Sequence, residues 1–182
     1  GLTGAVAIGA SAGQHTQGAS AVAIGYQAGF TGQISNAVAV GFQAGQVAQA
    51  DSAVAVGASA GQTGQGASAV AIGKDAGSLN QGLTGAVAIG ASAGQFTQGA
   101  SAVAIGFQAG FTGQSTNAVA VGFQAGQVAQ ADSAVAVGAS AGQTGQSANA
   151  VAIGKDAGSL NQGPTGAVAI GASAGQHTQG AS

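Results

Sequence analysis

The chain has 182 residues, of which 46% are apolar and 3% charged, with 36 glycines, no cysteine and a net charge of -2. It is too apolar and too weakly charged for a disordered chain, and one proline without glycine at every third place rules out a collagen helix. Two lysines provide no basic surface for nucleic acid or anionic lipid, no disulfide is available, and apolar runs such as Ala-Val-Ala-Ile fall far short of the ~18–20 residues that insert into a membrane.

Taken in chain order, the first predicted element is a strand, Ala-Val-Ala-Ile-Gly, that begins at Ala5. The phrase returns, with Ile or Val at its fourth place, at Ala21, Ala37, Ala53, Ala69, Ala86, Ala102, Ala118, Ala134, Ala150 and Ala167. The step is 16 residues, with two steps of 17. A fixed short period means one structural unit stacked on itself. The chain therefore reads as a single repeat array over residues 1–182, built of near-identical five-coil blocks, 1–81 and 82–162, and a partial block, 163–182. The blocks differ at six places, 15, 26, 34, 35, 66 and 68 in the first, as a recent duplication would leave them. The additional residue falls in Gly82-Leu83-Thr84-Gly85 and in Gly163-Pro164-Thr165-Gly166. No leader peptide is recognisable, methionine is absent, and the chain opens and closes inside its own repeat, so an excerpt of a longer protein is expected.

Within a coil, numbered from its first alanine, positions 1 to 5 are the phrase, 8 and 9 are Ala-Gly, and 13 is Gln. Invariant glycines disfavour a helix by about 1 kcal/mol each, whereas alternating Val and Ile suit a pleated strand. Sixteen residues hold two strands of ~5 residues and two turns. Each strand then pairs in parallel with its counterpart one coil away, at ~4.8 Å. The expected fold is all-β, a parallel β-solenoid or β-roll of eleven coils. Gly at position 5 ends the first strand with a positive φ. Ala-Gly at 8 and 9 gives the second strand small residues where the walls of a narrow roll approach. The glutamines at position 13, Gln17, Gln33, Gln49, Gln65, Gln81, Gln98, Gln114, Gln130, Gln146, Gln162 and Gln179, either bond to each other along the stack as an amide ladder or cap a turn through local backbone bonds.

Side chains alternate along a strand. In the first coil Val6 and Ile8 point one way and Ala5 and Ala7 the other, so both faces are apolar. A lone solenoid strand normally has one wet face. The expectation is that one face lines the coil and the alanine face packs on a partner chain. The alternative is a strip of alanines left exposed, which their small size tolerates.

The phrase Ala-Val-Ala-Ile-Gly, followed by Ala-Gly and a polar turn, resembles the head repeats of the trimeric autotransporter adhesins, the YadA-like heads. It is also similar to repeats in the fibres of bacteriophages and large viruses, and the 16-residue period with its Gln is closer to that viral form than to the shorter adhesin repeat. The resemblance spans essentially the whole chain. It implies a left-handed parallel β-roll, a homotrimeric rod, an extracellular place on a cell-surface or virion fibre, and adhesion to a host surface.

The residues suggest binding before catalysis. His15 and His177 occupy position 11, where the middle block has Phe96, so this is a packing slot and no general base. Asp51, Asp75, Asp132 and Asp156 form no close pair by position, and neither a calcium-binding nonapeptide nor a phosphate-cradling loop occurs. No cofactor and no enzymatic activity are expected. Position 6 brings Tyr26 beside Phe42 and Phe107 beside Phe123, with Phe30 and Phe111 four residues after the first ring of each pair. These six rings are a candidate patch for a glycan or host receptor. The alternative is that they cover the corner between chains of a trimer. Lys74-Asp75 and Lys155-Asp156 read as solvated charges that oppose lateral sheet growth. The leading function is a structural and adhesive fibre segment. An ice-binding solenoid is disfavoured by scattered threonines (Thr16, Thr31, Thr63, Thr97), and a self-assembling amyloid-like filament is the remaining alternative.

Overall fold

The computed structural model describes residues 3–82, 84–163 and 165–177. They contain strands and turns and no helix. Eleven first strands, from Val6–Ile8 to Val168–Ile170, form one parallel sheet in strict coil order. Valine pairs with valine and alanine with alanine in each step, as in Val103↔Val119 and Ala104↔Ala120. The register survives the 17-residue steps, since Val70 pairs with Val87 and Val151 with Val168. The chain is a parallel β-solenoid, and by the usual strand spacing the stack rises roughly 50 Å.

The strands are three residues long, shorter than the five expected, and the second strand sits at positions 11 to 13, as in His15–Gln17 and Phe96–Gln98. Ala-Gly at positions 8 and 9 belongs to the turn before it. The cause lies at position 12. Its residue is left-handed in coil after coil: Thr16 (φ 58°), Gly32 (72°), Ala48 (56°), Asn80 (55°) and Ala129 (56°). A left-handed residue in mid-strand limits pairing to the residues on either side, so Phe96↔Thr112 and Gln98↔Gln114 pair while Thr97 does not. The second wall is accordingly fragmentary, with five strands in one piece, two in another, and single bridges such as Val47↔Thr63 joining them.

The alanine face does not await a partner. From Ala23 to Ala152 the alanines of position 3 are fully buried inside the coil, together with those of position 8 from Ala28 to Ala157. Valine and isoleucine of the same strands point outward. Beside the buried glutamines of position 13 the lumen leaves room for little more than a methyl group. A Cβ on Gly29, at position 9, would lie 2.5 Å from Gln33 Oε1. Alanine fits where the walls are that close, and a branched side chain does not. The expectation that small residues stand where the walls approach holds, and the expectation that alanines meet a second chain is reversed.

Gly at position 5 turns the corner with a positive φ, 129° at Gly25 and 127° at Gly106. A Cβ there would meet the carbonyl oxygen of the equivalent glycine one coil on, at 2.4 Å for Gly25 and 2.5 Å for Gly106. Both the conformation and the close approach require glycine.

Candidate functional site: the glutamine spine and the aromatic ridge

The position-13 glutamines are the largest fully buried side chains, from Gln33 to Gln162. Each amide from Gln17 to Gln162 donates from Nε2 to the carbonyl oxygen of the valine at position 2 of its own coil, at 2.7 Å in Gln49, Gln114 and Gln146. This bond crosses the lumen and ties the second wall to the first. The same nitrogen lies 3.0–3.4 Å from the backbone carbonyl that opens the next coil. Amide-to-amide bonds also run along the stack, Gln33 to Gln49 to Gln65 and Gln98 to Gln114 to Gln130 to Gln146, at 3.1–3.2 Å. Ladder and backbone bonding therefore coexist, and the strongest component is the transverse brace. Buried amides demand partners, and these find both kinds.

The ladder is interrupted where the period is. The Oε1 atoms of Gln81, Gln98 and Gln162, which flank the 17-residue steps, accept no bond, and neither does that of Gln33. Gln179 lies outside the described residues. At the first of these steps a shallow pocket of about 360 Å³ opens, lined by Gly64, Asn80, Gly82, Gln98, Gly99, Ala100 and Thr116. Residue 83 is outside the described residues. No titratable side chain lines it.

The six rings enter into ring pairs of two kinds. Tyr26 stacks on Phe42 with centroids 5.4 Å apart and planes at 13°, and Phe107 stacks on Phe123 at 5.5 Å and 15°. All four rings are about half exposed, from 46% to 53%. Phe30 and Phe111 pair elsewhere, edge-on with His15 and Phe96 at 5.1 and 5.2 Å. Position 11 thus accepts His or Phe as a partner for the ring of position 10 one coil on. The stacked pairs form because position 6 is held in register: Gln43 N–H donates to the Tyr26 carbonyl, Ser59 N–H to that of Phe42 and Asp75 N–H to that of Ala58. The side chains of position 6 therefore stand one above another as a ridge at the corner beside the Val/Ile face.

A second feature escaped the sequence reading. Beside each ring pair, four surface glutamines close a cycle. Gln27 Oε1 accepts from Gln43 and Gln46, at 3.1 and 2.9 Å, while Gln62 Nε2 donates to Gln43 and Gln46 at 3.2 Å each. Gln108, Gln124, Gln127 and Gln143 repeat it. The signal was present as glutamines spaced 16 and 19 residues apart, but only the corner geometry brings positions 7 and 10 together.

Lys74 and Lys155 pair loosely with Asp75 and Asp156, at 3.8 and 3.9 Å, and their own side chains are 76% exposed. Such pairs contribute little to stability. Among the described residues no three His, Asp, Glu or Cys side chains cluster as metal ligands would, and no helix is long and apolar enough to cross a membrane. Comparison with protein-family models, curated proteins and solved structures finds no match to this chain.

Proposed function

We propose that the chain is a structural and adhesive segment of an extracellular or virion fibre, a rigid rod whose copies pack side by side as a homotrimer and hold a distal tip away from a surface. The observation that carries this reading is the pair of outward ladders. Valine at position 2 and Ile or Val at position 4 run the length of the eleven-stranded sheet. Ile72, Ile105 and Ile153 keep more than a third of their surface open in mid-array. With ~4.8 Å between strands and ~6.8 Å between alternate side chains, the strip covers roughly 360 Å². That lies within the range of the largest apolar patches on monomers, which mark interaction sites. Two such strips face to face remove roughly 700 Å² of the ~1,000 Å² that a specific interface buries, and added coils extend it.

The number three comes from the resemblance to trimeric adhesin heads. Position 11 supports a fibre over an ice-binding face: Thr31, Val47, Thr63 and Leu79 follow one another, which is no regular threonine array. The role proposed is mechanical and adhesive, without catalysis. The test is the solution mass by light scattering after size exclusion, with shape from sedimentation. Three times 16.5 kDa in an elongated particle is expected. A monomer at micromolar concentration would overturn the packing, and a compact particle would overturn the rod.

A further inference from the structure

We infer that the position-6 ridge carries a row of binding slots for neutral pyranose glycans, one at each alanine that separates a ring from a lysine. In register the ridge reads Ala10, Tyr26, Phe42, Ala58, Lys74, Ala91, Phe107, Phe123, Ala139, Lys155. Tyr26 and Phe42 cover one face of each other, and the next coil offers only the methyl group of Ala58 beside the other face of Phe42. Lys74 stands one coil further on. The gap between Phe42 and Lys74 is two coil spacings, about 9.6 Å. A ring-shaped group in the middle lies ~4.8 Å from each wall, the distance at which rings pack face to face. Ala91, between Lys74 and Phe107, makes the same slot in reverse, and Ala139, between Phe123 and Lys155, repeats the first.

The lining decides the occupant. One wall is an aromatic face with negative quadrupole, which suits the axial C–H groups of a pyranose. The floor is Ala58, exposed, with Ser59 next to it in the chain. Gln62, in the same coil, spends its amino group on the glutamine cycle, and its carbonyl oxygen lies outside that cycle. The far wall is the Lys74–Asp75 pair, which supplies donors and acceptors with no net charge. Hydroxyl groups on a flat, uncharged ring match this mixture, whereas a charged sugar is drawn to one member of the pair and opposed by the other, and an aliphatic side chain leaves the polar groups unpaired. A second copy's ridge does not interdigitate here, because its ring pair is two coils thick and the slot is one coil wide. The equivalent slots at Ala58 and Ala139 recur after 81 residues, or about 24 Å, so a glycan chain long enough to span two of them gains by avidity.

The experiment uses the chain in its solution assembly and neutral hexaoses, cellohexaose and mannohexaose, followed by saturation-transfer NMR and calorimetry. A hyaluronan hexamer serves as the anionic comparison. Binding of at least one neutral hexaose at millimolar concentration or better is expected. The filled-slot variant, Ala58→Phe with Ala91→Phe and Ala139→Phe, is expected to weaken it at least tenfold. That variant folds, because the same position already holds Phe in neighbouring coils. Phe42→Ala with Phe107→Ala and Phe123→Ala, which removes the aromatic wall of all three slots, is expected to give a similar loss. No saccharide binding to the parent chain, unchanged affinity in the filled-slot variant, or binding of hyaluronan alone would each overturn the proposal. Particle mass is read in parallel: a trimer that binds no glycan refutes the slots and leaves the fibre standing, and a monomer that binds does the reverse.

Discussion

The two walls of the solenoid are built from the same chain with opposite backbone habits. The first wall is an unbroken eleven-stranded sheet because its three residues are all extended and carry β-favouring side chains at alternate places. The second wall has a left-handed residue in the middle of each strand, and the sheet falls into pieces. A regular period is therefore insufficient for a regular sheet. What the second wall lacks in backbone pairing it recovers through the buried glutamines, whose amides cross the lumen to the first wall. The outer surfaces differ accordingly. The first wall offers continuous apolar ladders suited to another copy, and the second offers mixed residues, His15, Thr31, Val47 and Leu79, suited to none.

The comparison is broken most completely on the outward face of the first wall. Val54→Lys with Val135→Lys places two cations in the apolar ladder and is expected to abolish assembly, with particle mass falling to 16.5 kDa and the β-type circular dichroism retained. The same lysines at the exposed position-11 residues Val47 and Val128 are expected to leave the mass unchanged. The next largest effect belongs to the corner that ends the first strand. Gly106→Ala forces a Cβ to 2.5 Å from the Gly122 carbonyl oxygen at φ 127°, and chemical denaturation should report a loss of about 3–5 kcal/mol.

Removing the brace between the walls comes third. Gln114→Ala leaves a cavity, removes a donor from the Val103 carbonyl and breaks both ladder bonds, to Gln98 and to Gln130. A loss of about 3 kcal/mol is expected. Gln162→Ala should cost about 1–2 kcal/mol less, because its Oε1 is outside the ladder. Equal losses would mean that the amide-to-amide bonds contribute nothing. The smallest effect sharpens the comparison on the second wall. Ala48 is left-handed at φ 56°, so Ala48→Gly relieves the conformation and, after the added freedom of the unfolded chain, should raise stability by about 0.5 kcal/mol. The same change at Ala55, an extended residue of the first wall, should lower it.

Much of the fold was legible because each cue repeats eleven times. Gly at position 5 announced a corner, and Val-Ala-Ile announced a strand. The second strand was misplaced because its central residue varies among Thr, Gly, Ala and Asn, a mixture whose shared property is tolerance of a left-handed turn and not hydrophobicity. The site was legible in part. The stacking of Tyr26 on Phe42 follows from the 16-residue step alone. The edge-on pairing of Phe30 with His15 does not, because it joins positions 10 and 11 of different coils. The glutamine cycle needed positions 7 and 10 of different coils to meet around the turn.

The sequence by itself determined the period, the parallel stacking, the in-register columns of like residues and the corners, since all of these follow from local conformation and repetition. Which side of the first strand faces inward was decided only by the tertiary structure. Alternation defines two apolar sets and is silent on which is inside. The choice falls to the width of the lumen: with glutamine side chains filling it and Gly29 already in contact with Gln33, there is room for the methyl of alanine and none for the branches of valine and isoleucine, which are turned out to form the face the rod presents.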